Sequence, residues 1–118
     1  MKKLLALSDW PTAIMCSNDL TAIGVQHAMF EAKLRVPDDF SLIGFDDVHL
    51  ADYTIPPLTT VRMACKDLAR AAVTQLLAHF DAGENKKRQT GQTIPTRLIV
   101  RQTTGLPKNA LRGLRPRR

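Results

Sequence analysis

Long apolar runs are missing from this chain. Nowhere do eighteen consecutive apolar residues occur, so no segment is fit to span a bilayer as a helix. Aromatic residues are scarce, at 5%, so a core must rest on Leu, Ile, Val and Ala. Cysteine is nearly absent: Cys16 and Cys65 lie 49 positions apart and form no CxxC. With three scattered histidines (His27, His49 and His79) they offer no metal-ligand spacing, so no metal site is expected. Unpaired cysteines fit a reducing cytoplasm, and Cys16, ending an apolar run, reads as a small buried hydrophobe. GxSxG, GxxxxGK(S/T) and GxGxxG are all lacking, and Gly24 and Gly44 stand alone. No histidine is spaced against a nucleophile. These absences argue against an enzyme, and no cofactor is expected.

What is present is a chain of 118 residues, 44% hydrophobic and 24% charged, enough for one globular domain or part of one. Its net charge of +6 invites a nucleic-acid reading that the distribution does not support. Residues 1–81 hold 7 Lys and Arg against 10 Asp and Glu, whereas residues 82–118 hold 10 against Glu84 alone. The basicity sits in the Lys86-Lys87-Arg88 cluster and in a tail with Lys108, Arg112, Arg115, Arg117 and Arg118. A loop cluster and a frayed end read first as solvated charge, and second as a non-specific phosphate contact.

Met1-Lys2-Lys3-Leu4-Leu5-Ala6-Leu7 resembles the opening of a secretory signal, but its apolar stretch stops at Ser8-Asp9, too soon for a signal. It reads better as the end of a helix. Ala13-Ile14-Met15-Cys16 suits a short buried strand, and the sequence from Asp19 to about Ala32 reads as a helix capped by Ser17 or Asn18. Leu34 to Asp39 is a loop whose Pro37 forbids helix continuation, and Leu42-Ile43-Gly44-Phe45 is a second short strand. Strand, helix and strand within this span predict a βαβ unit with parallel, neighbouring strands, hence an α/β fold. The helix carries two apolar stripes: Leu20, Ile23, Phe30 and Leu34 on one side, and Ala22, Val25, Met29 and Ala32 on the other. One stripe suffices to pack on a sheet, so the second points to a further layer or subunit.

Beyond Asp47 an irregular stretch is expected to Pro57, with a turn of helix near His49–Ala51 and extended backbone at Pro56-Pro57. Leu58 to Val61 reads as a strand. A helix follows from about Ala64 to Phe80, with Leu68, Ala72, Val73, Leu76, Leu77 and Phe80 as its expected buried stripe and Gly83 as its stop. Residues 84–93 read as a polar loop, Ile94 to Thr104 as a last strand, and the remainder as a tail of little order.

Ligands of open parallel sheets bind beyond the carboxyl ends of the strands. Two neighbouring strands here end in Ser17-Asn18-Asp19 and Asp46-Asp47, which brings Asn18 and Asp46 to one edge. Asn offers donors and an acceptor and ionised Asp only acceptors, a pair suited to a polyhydroxyl or heterocyclic ligand. The same residues have plainer roles: Asn18 and Asp19 could cap the helix, and Asp46 and Asp47 could stabilise a turn. Paired aspartates also fit Mg²⁺, yet no third carboxylate or strand-end Lys completes such a site.

Pro11-Thr12-Ala13-Ile14, Ser17-Asn18-Asp19, Ala22-Ile23-Gly24, Val36-Pro37-Asp38-Asp39, Gly44-Phe45-Asp46-Asp47, Pro56 to Val61 and Leu98-Ile99-Val100-Arg101 follow one another in order. Each is weak alone, but the series resembles the C-terminal part of lac-repressor and purine-repressor (LacI-type) family transcription regulators, over residues 4 to 104. The resemblance implies a fragment of a periplasmic-binding-protein-like sensor, two α/β subdomains with a small effector, sugar or purine-like, in the cleft between them. On it, Asn18 and Asp46 contact the effector, while Ser17, Asp19 and Asp47 cap the helix or support the site. Ala22, Ile23, Gln26 and His27 of the helix, with Tyr53, Thr54 and Ile55, match a homodimer interface. Residues 1–61 would belong to one subdomain, 62–104 would cross to the other and return, and 105–118 would be the basic tail.

Departures from the family accompany the match. The family's operator-reading helix-turn-helix and hinge helix do not precede these residues, so Met1 looks like an internal methionine of a longer ancestor or the start of a truncated gene. Where the family usually has Gly at the end of the first helix, this chain has Lys33, and Arg62-Met63-Ala64 departs from a usual polar Gln. Three alternatives remain at this stage: a transport-type sugar-binding protein of the same fold, a stand-alone dimerisation module, and DNA binding through the basic tail.

Overall fold

The computed structural model describes residues 2–8, 10–81 and 91–107. The Gly83 helix stop, most of the polar loop over 84–93 and the tail from residue 108 lie outside the described residues. The elements run α1 (Lys2–Leu5), β1 (Ala13–Met15), α2 (Asp19–Glu31), β2 (Ser41–Asp46), a 3₁₀ turn (His49–Asp52), β3 (Thr59–Arg62), α3 (Cys65–Asp81) and β4 (Arg97–Ile99). They form a four-stranded sheet in the order β1-β2-β3-β4. β1 pairs with β2 and β2 with β3, both in parallel, with Met15 opposite Ile43 and Asp46 opposite Arg62. This is the βαβ unit that the apolar runs predict.

The chain divides into two compact units, one made of Met1–Arg62 with Leu98–Arg118 and the other of Met63–Arg97. Residues 98–104, grouped by sequence with the second stretch, thus lie with the first unit.

The first unit holds the core. Cys16, Ala22, Leu42, Ala51 and Leu58 are buried together, with Ile14, Ile23, Val25 and Val36 packed against them. Leu42 and Leu58 are fully buried, and each contributes roughly 2–3 kcal/mol through the apolar surface it withdraws from water. Burial also pushes the Cys16 thiol above its ordinary value, as expected for an inert packing residue. At the amino ends of the strands Thr103 does the work of a missing ladder: its Oγ1 donates to the Leu42 carbonyl (2.7 Å) and accepts from the Thr59 N–H (2.8 Å). Its own carbonyl accepts from the Leu42 N–H at 2.7 Å.

Of the two stripes on α2, the one with Ala22, Val25 and Met29 packs inward, and Ala22 and Met29 are completely buried. Leu20 and Phe30 face solvent, at 64% and 80% exposure. The helix ends where Lys33 turns left-handed, at φ 58°, and its N–H donates to the Phe30 carbonyl. The Ile55–Pro56 peptide is cis, not the plain extended backbone that the two prolines imply.

The second unit departs from expectation. The stripe of α3 expected to be buried is open: Leu68, Val73, Leu76, Leu77 and Phe80 are 47–70% exposed, and Ala72 is exposed too. The helical period identifies that stripe, but no element among the described residues covers it.

Candidate functional site

The carboxyl edge of β1 and β2 carries the polar residues, and each of them has a distinct task. Asn18 is the N-cap of α2: its backbone is extended, and Oδ1 accepts from the Thr21 N–H at 2.8 Å. This occupies one acceptor and leaves the carboxamide N–H groups without a partner among the described residues. Ser17 is exposed and makes no cap bond, so the capping choice falls to Asn18.

Asp19 is not a helix cap. It is completely buried in the first turn of α2, where the helix dipole favours a carboxylate. Oδ1 accepts from the Thr60 hydroxyl at 2.5 Å and Oδ2 from the Val48 N–H at 2.8 Å. The carboxylate therefore ties α2 to β3 and to the chain leaving β2. Gly44 makes room for it, since a Cβ there would stand 2.1 Å from Asp19 Oδ1.

At the end of β2 the backbone turns through two residues with positive φ, Asp46, the last of the strand, at 113° and Asp47 at 58°. Such values in non-glycine residues persist only where the surroundings hold them. Asp47 provides the hold: Arg62 Nε donates to its Oδ2 and Arg101 Nη2 to its Oδ1, the latter at 2.7 Å. Burial alone would push the Asp47 carboxyl up, but the hydrogen bonds and charges of Arg101 and Arg62 outweigh it and hold the carboxyl below its usual range. Arg101 responds in kind: burial would lower its pKa, and the bonds and charges of Asp47 and Asp52 raise it. Asp46, one residue earlier, is half-buried and its carboxylate has no partner among the described residues. The edge thus presents one occupied cap with open donors, one open carboxylate beside Arg62, and a braced turn beneath them.

The residues matched to a dimer interface divide. Ala22 is wholly buried in the core and cannot meet a partner, which corrects that assignment; it belongs to the stripe the sheet takes. Ile23, Gln26, His27, Thr54 and Ile55, together with Phe30, line an open depression of about 250 Å³. Ile55 is 93% exposed and Tyr53 68%, an apolar surface without a covering layer. Gln26 Nε2 donates to the Pro56 carbonyl at 3.0 Å, while its Oε1 is buried with no hydrogen-bond donor among the described residues. Thr54 Oγ1 donates to the Pro56 carbonyl at 2.8 Å, and His27 lies 3.6 Å from Glu31 on the exposed helix face. A separate cavity of about 300 Å³ opens near Trp10, Phe40 and Leu106 at the amino ends of β1 and β2, away from the polar edge.

Arg101 and Phe30 are the residues that reading by motif and stripe undervalues. Arg101 ends the Leu98–Arg101 motif, but nothing in its local sequence shows that it reaches Asp47.

The family model for the periplasmic binding protein-like domain matches residues 1–104. The chain belongs to this family, in its LacI-type regulator form. It is 43% identical over 106 residues to the HTH-type transcriptional repressor PurR of Mannheimia succiniciproducens, covering 87% of this chain and 30% of that protein. Among solved structures it is similar to the lac repressor dimer bound to operator and an anti-inducer (TM-score 0.70, 36% identity, 80% of this chain and 32% of that one). It is also similar to a LacI family regulator from Enterococcus faecalis with bound ribose (TM-score 0.74, 33% identity, 87% of this chain and 37% of that one). The chain therefore spans about a third of the length of these relatives. No helix among the described residues is long and apolar enough to cross a membrane.

Proposed function

We propose that the chain is the effector-sensing and self-associating portion of a LacI-type transcriptional repressor, working in the cytoplasm without catalysis. Its effector is a small polyhydroxyl or heterocyclic molecule, of the sugar or purine-like class, held by Asn18 and Asp46. The observation that carries this reading is the Asp46 carboxylate, fixed at the end of β2 by a braced turn yet without a partner among the described residues, at the carboxyl edge that also carries the open amide of Asn18. The ribose-bound regulator supports the sugar class. Operator DNA would be read by a helix-turn-helix elsewhere in a full-length repressor, and residues 1–61 and 62–104 would serve its two subdomains.

Self-association belongs to the same reading. Phe30, Tyr53 and Ile55 form bare apolar surface that a second copy would cover. D-ribose and adenine titrated into the ¹⁵N-labelled chain are expected to shift the amides of Asn18 and of residues 46–48, and Asp46→Asn to abolish those shifts. Shifts scattered over the chain, or unchanged in Asp46→Asn, would refute the assignment.

A further inference from the structure

One guanidinium sits among three segments that the sequence keeps apart. Arg101, whose side chain is 12% exposed, donates through Nη2 to Asp47 Oδ1 (2.7 Å), through Nε to Asp52 Oδ1 (2.6 Å), and through Nη1 to the Leu58 carbonyl (2.8 Å). Asp47 belongs to the left-handed turn that aims Asp46. Asp52 closes the 3₁₀ turn that leads into Tyr53, Thr54 and Ile55. Leu58 opens onto β3, and its side chain is fully buried. A guanidinium is planar and rigid, so its three bonds fix the relative placement of their partners in a way that a flexible ammonium would not. The pair with Asp47 is buried on both sides and little screened by solvent, while Asp52 meets the guanidinium from the surface.

We propose that Arg101 is a positioning residue that couples the Asp46–Asp47 turn to the His49–Asp52 turn, so that displacement of one is transmitted to the other. Its functional weight rests on the reading above: the first turn carries the effector carboxylate, and the second carries the self-association surface. Effector occupancy and subunit contact would then share one mechanical element, and linkage makes such coupling reciprocal. No other side chain among the described residues bonds to both turns. Arg62 reaches Asp47 only, and the Val48 N–H is held from the other side by Asp19.

The test is amide hydrogen exchange on the full 118-residue chain, read at Asp47 and Val48 for one turn and at Ala51 and Tyr53 for the other. Asp52→Asn alters a side chain that is 57% exposed and pairs with Arg101, with no hydrogen bond or ion pair to Asp47 or Val48 among the described residues. It is expected to lower protection at Asp47 and Val48 by about fivefold or more, the low end of ordinary coupling between sites. Asp47→Asn is expected to do the same at Ala51 and Tyr53. Arg101→Lys should not restore the cross-talk, and in an Arg101→Gln background Asp52→Asn should add nothing at Asp47.

A role in general stability would lower protection evenly along β2 and α2, and that pattern would overturn the proposal. So would effects confined to the turn that carries the substitution. If Arg101→Gln fails to fold, the two aspartate variants decide alone. The D-ribose and adenine titrations separate the two claims. Cross-talk without shifts at Asn18 and Asp46 leaves the coupling standing and removes the effector reading. Shifts without cross-talk do the reverse.

Discussion

Single residues in this chain carry conformations that their side chains do not favour. Lys33 sits at φ 58°, where a Cβ costs roughly 1 kcal/mol that glycine avoids. Lys33→Gly is therefore expected to raise stability by about 1 kcal/mol, seen as a higher urea midpoint with an unchanged slope. The strain at Asp46 and Asp47 is different, because ion pairs offset it. Asp47's carboxyl is held below its unfolded value, so its stabilising contribution is whole above about pH 4, near the unfolded carboxyl value, and fades as pH falls through the lower folded value. The stability gap between the native chain and Asp47→Asn should be constant from pH 6 down to about 4 and shrink below that. A gap independent of pH in urea titrations would show that the pairing contributes nothing through charge. The motif containing Asp46 and Asp47 was legible as a polar strand end. That Asp47 braces the turn while Asp46 stays open was not, because the bracing arginines lie 15 and 54 positions away.

At the scale of elements, α2 shows what periodicity tells and what it omits. The spacing of Leu20, Ile23 and Phe30 against Ala22, Val25 and Met29 marks two apolar stripes. It does not say which one the sheet takes: Ala22 and Met29 are buried, while Leu20 and Phe30 are left outside. The choice follows from Asp19, whose carboxylate is pinned by a Thr60 hydroxyl 41 positions on and so fixes the rotation of the helix's first turn. Ala22, placed by resemblance at an interface, rotates with it into the core. Leu20 and Phe30, with Tyr53 and Ile55, are then left exposed. Ile55→Asp and Phe30→Asp are each expected to weaken self-association by about tenfold or more in sedimentation velocity, as buried interface anchors do, with the circular dichroism spectrum unchanged. Equal association in both variants would show that this surface is not the contact.

For the molecule as a whole, the sequence by itself determined the order of elements, the parallel βαβ pairing and the polar strand edge that carries Asn18 and Asp46. Those features rest on local signals: short apolar runs, an Asx cap, prolines and the polar ends of strands, all readable within a few positions. The ordered run of motifs from Pro11 to Arg101 also carried the family. Tertiary structure alone decided which aspartate is buried, which is braced and which is open, and which apolar stripes are covered. The stripe of α3, read from its period as core, is exposed because amphipathic spacing records that a face seeks a partner without supplying one. Arg101 belongs to the same class of decision. Its three acceptors are drawn from positions 47, 52 and 58, and only the closing of the chain on itself brings them within reach of one guanidinium. Hydrogen bonds and ion pairs between distant residues leave no periodic trace in a sequence, so they become visible only in the folded chain.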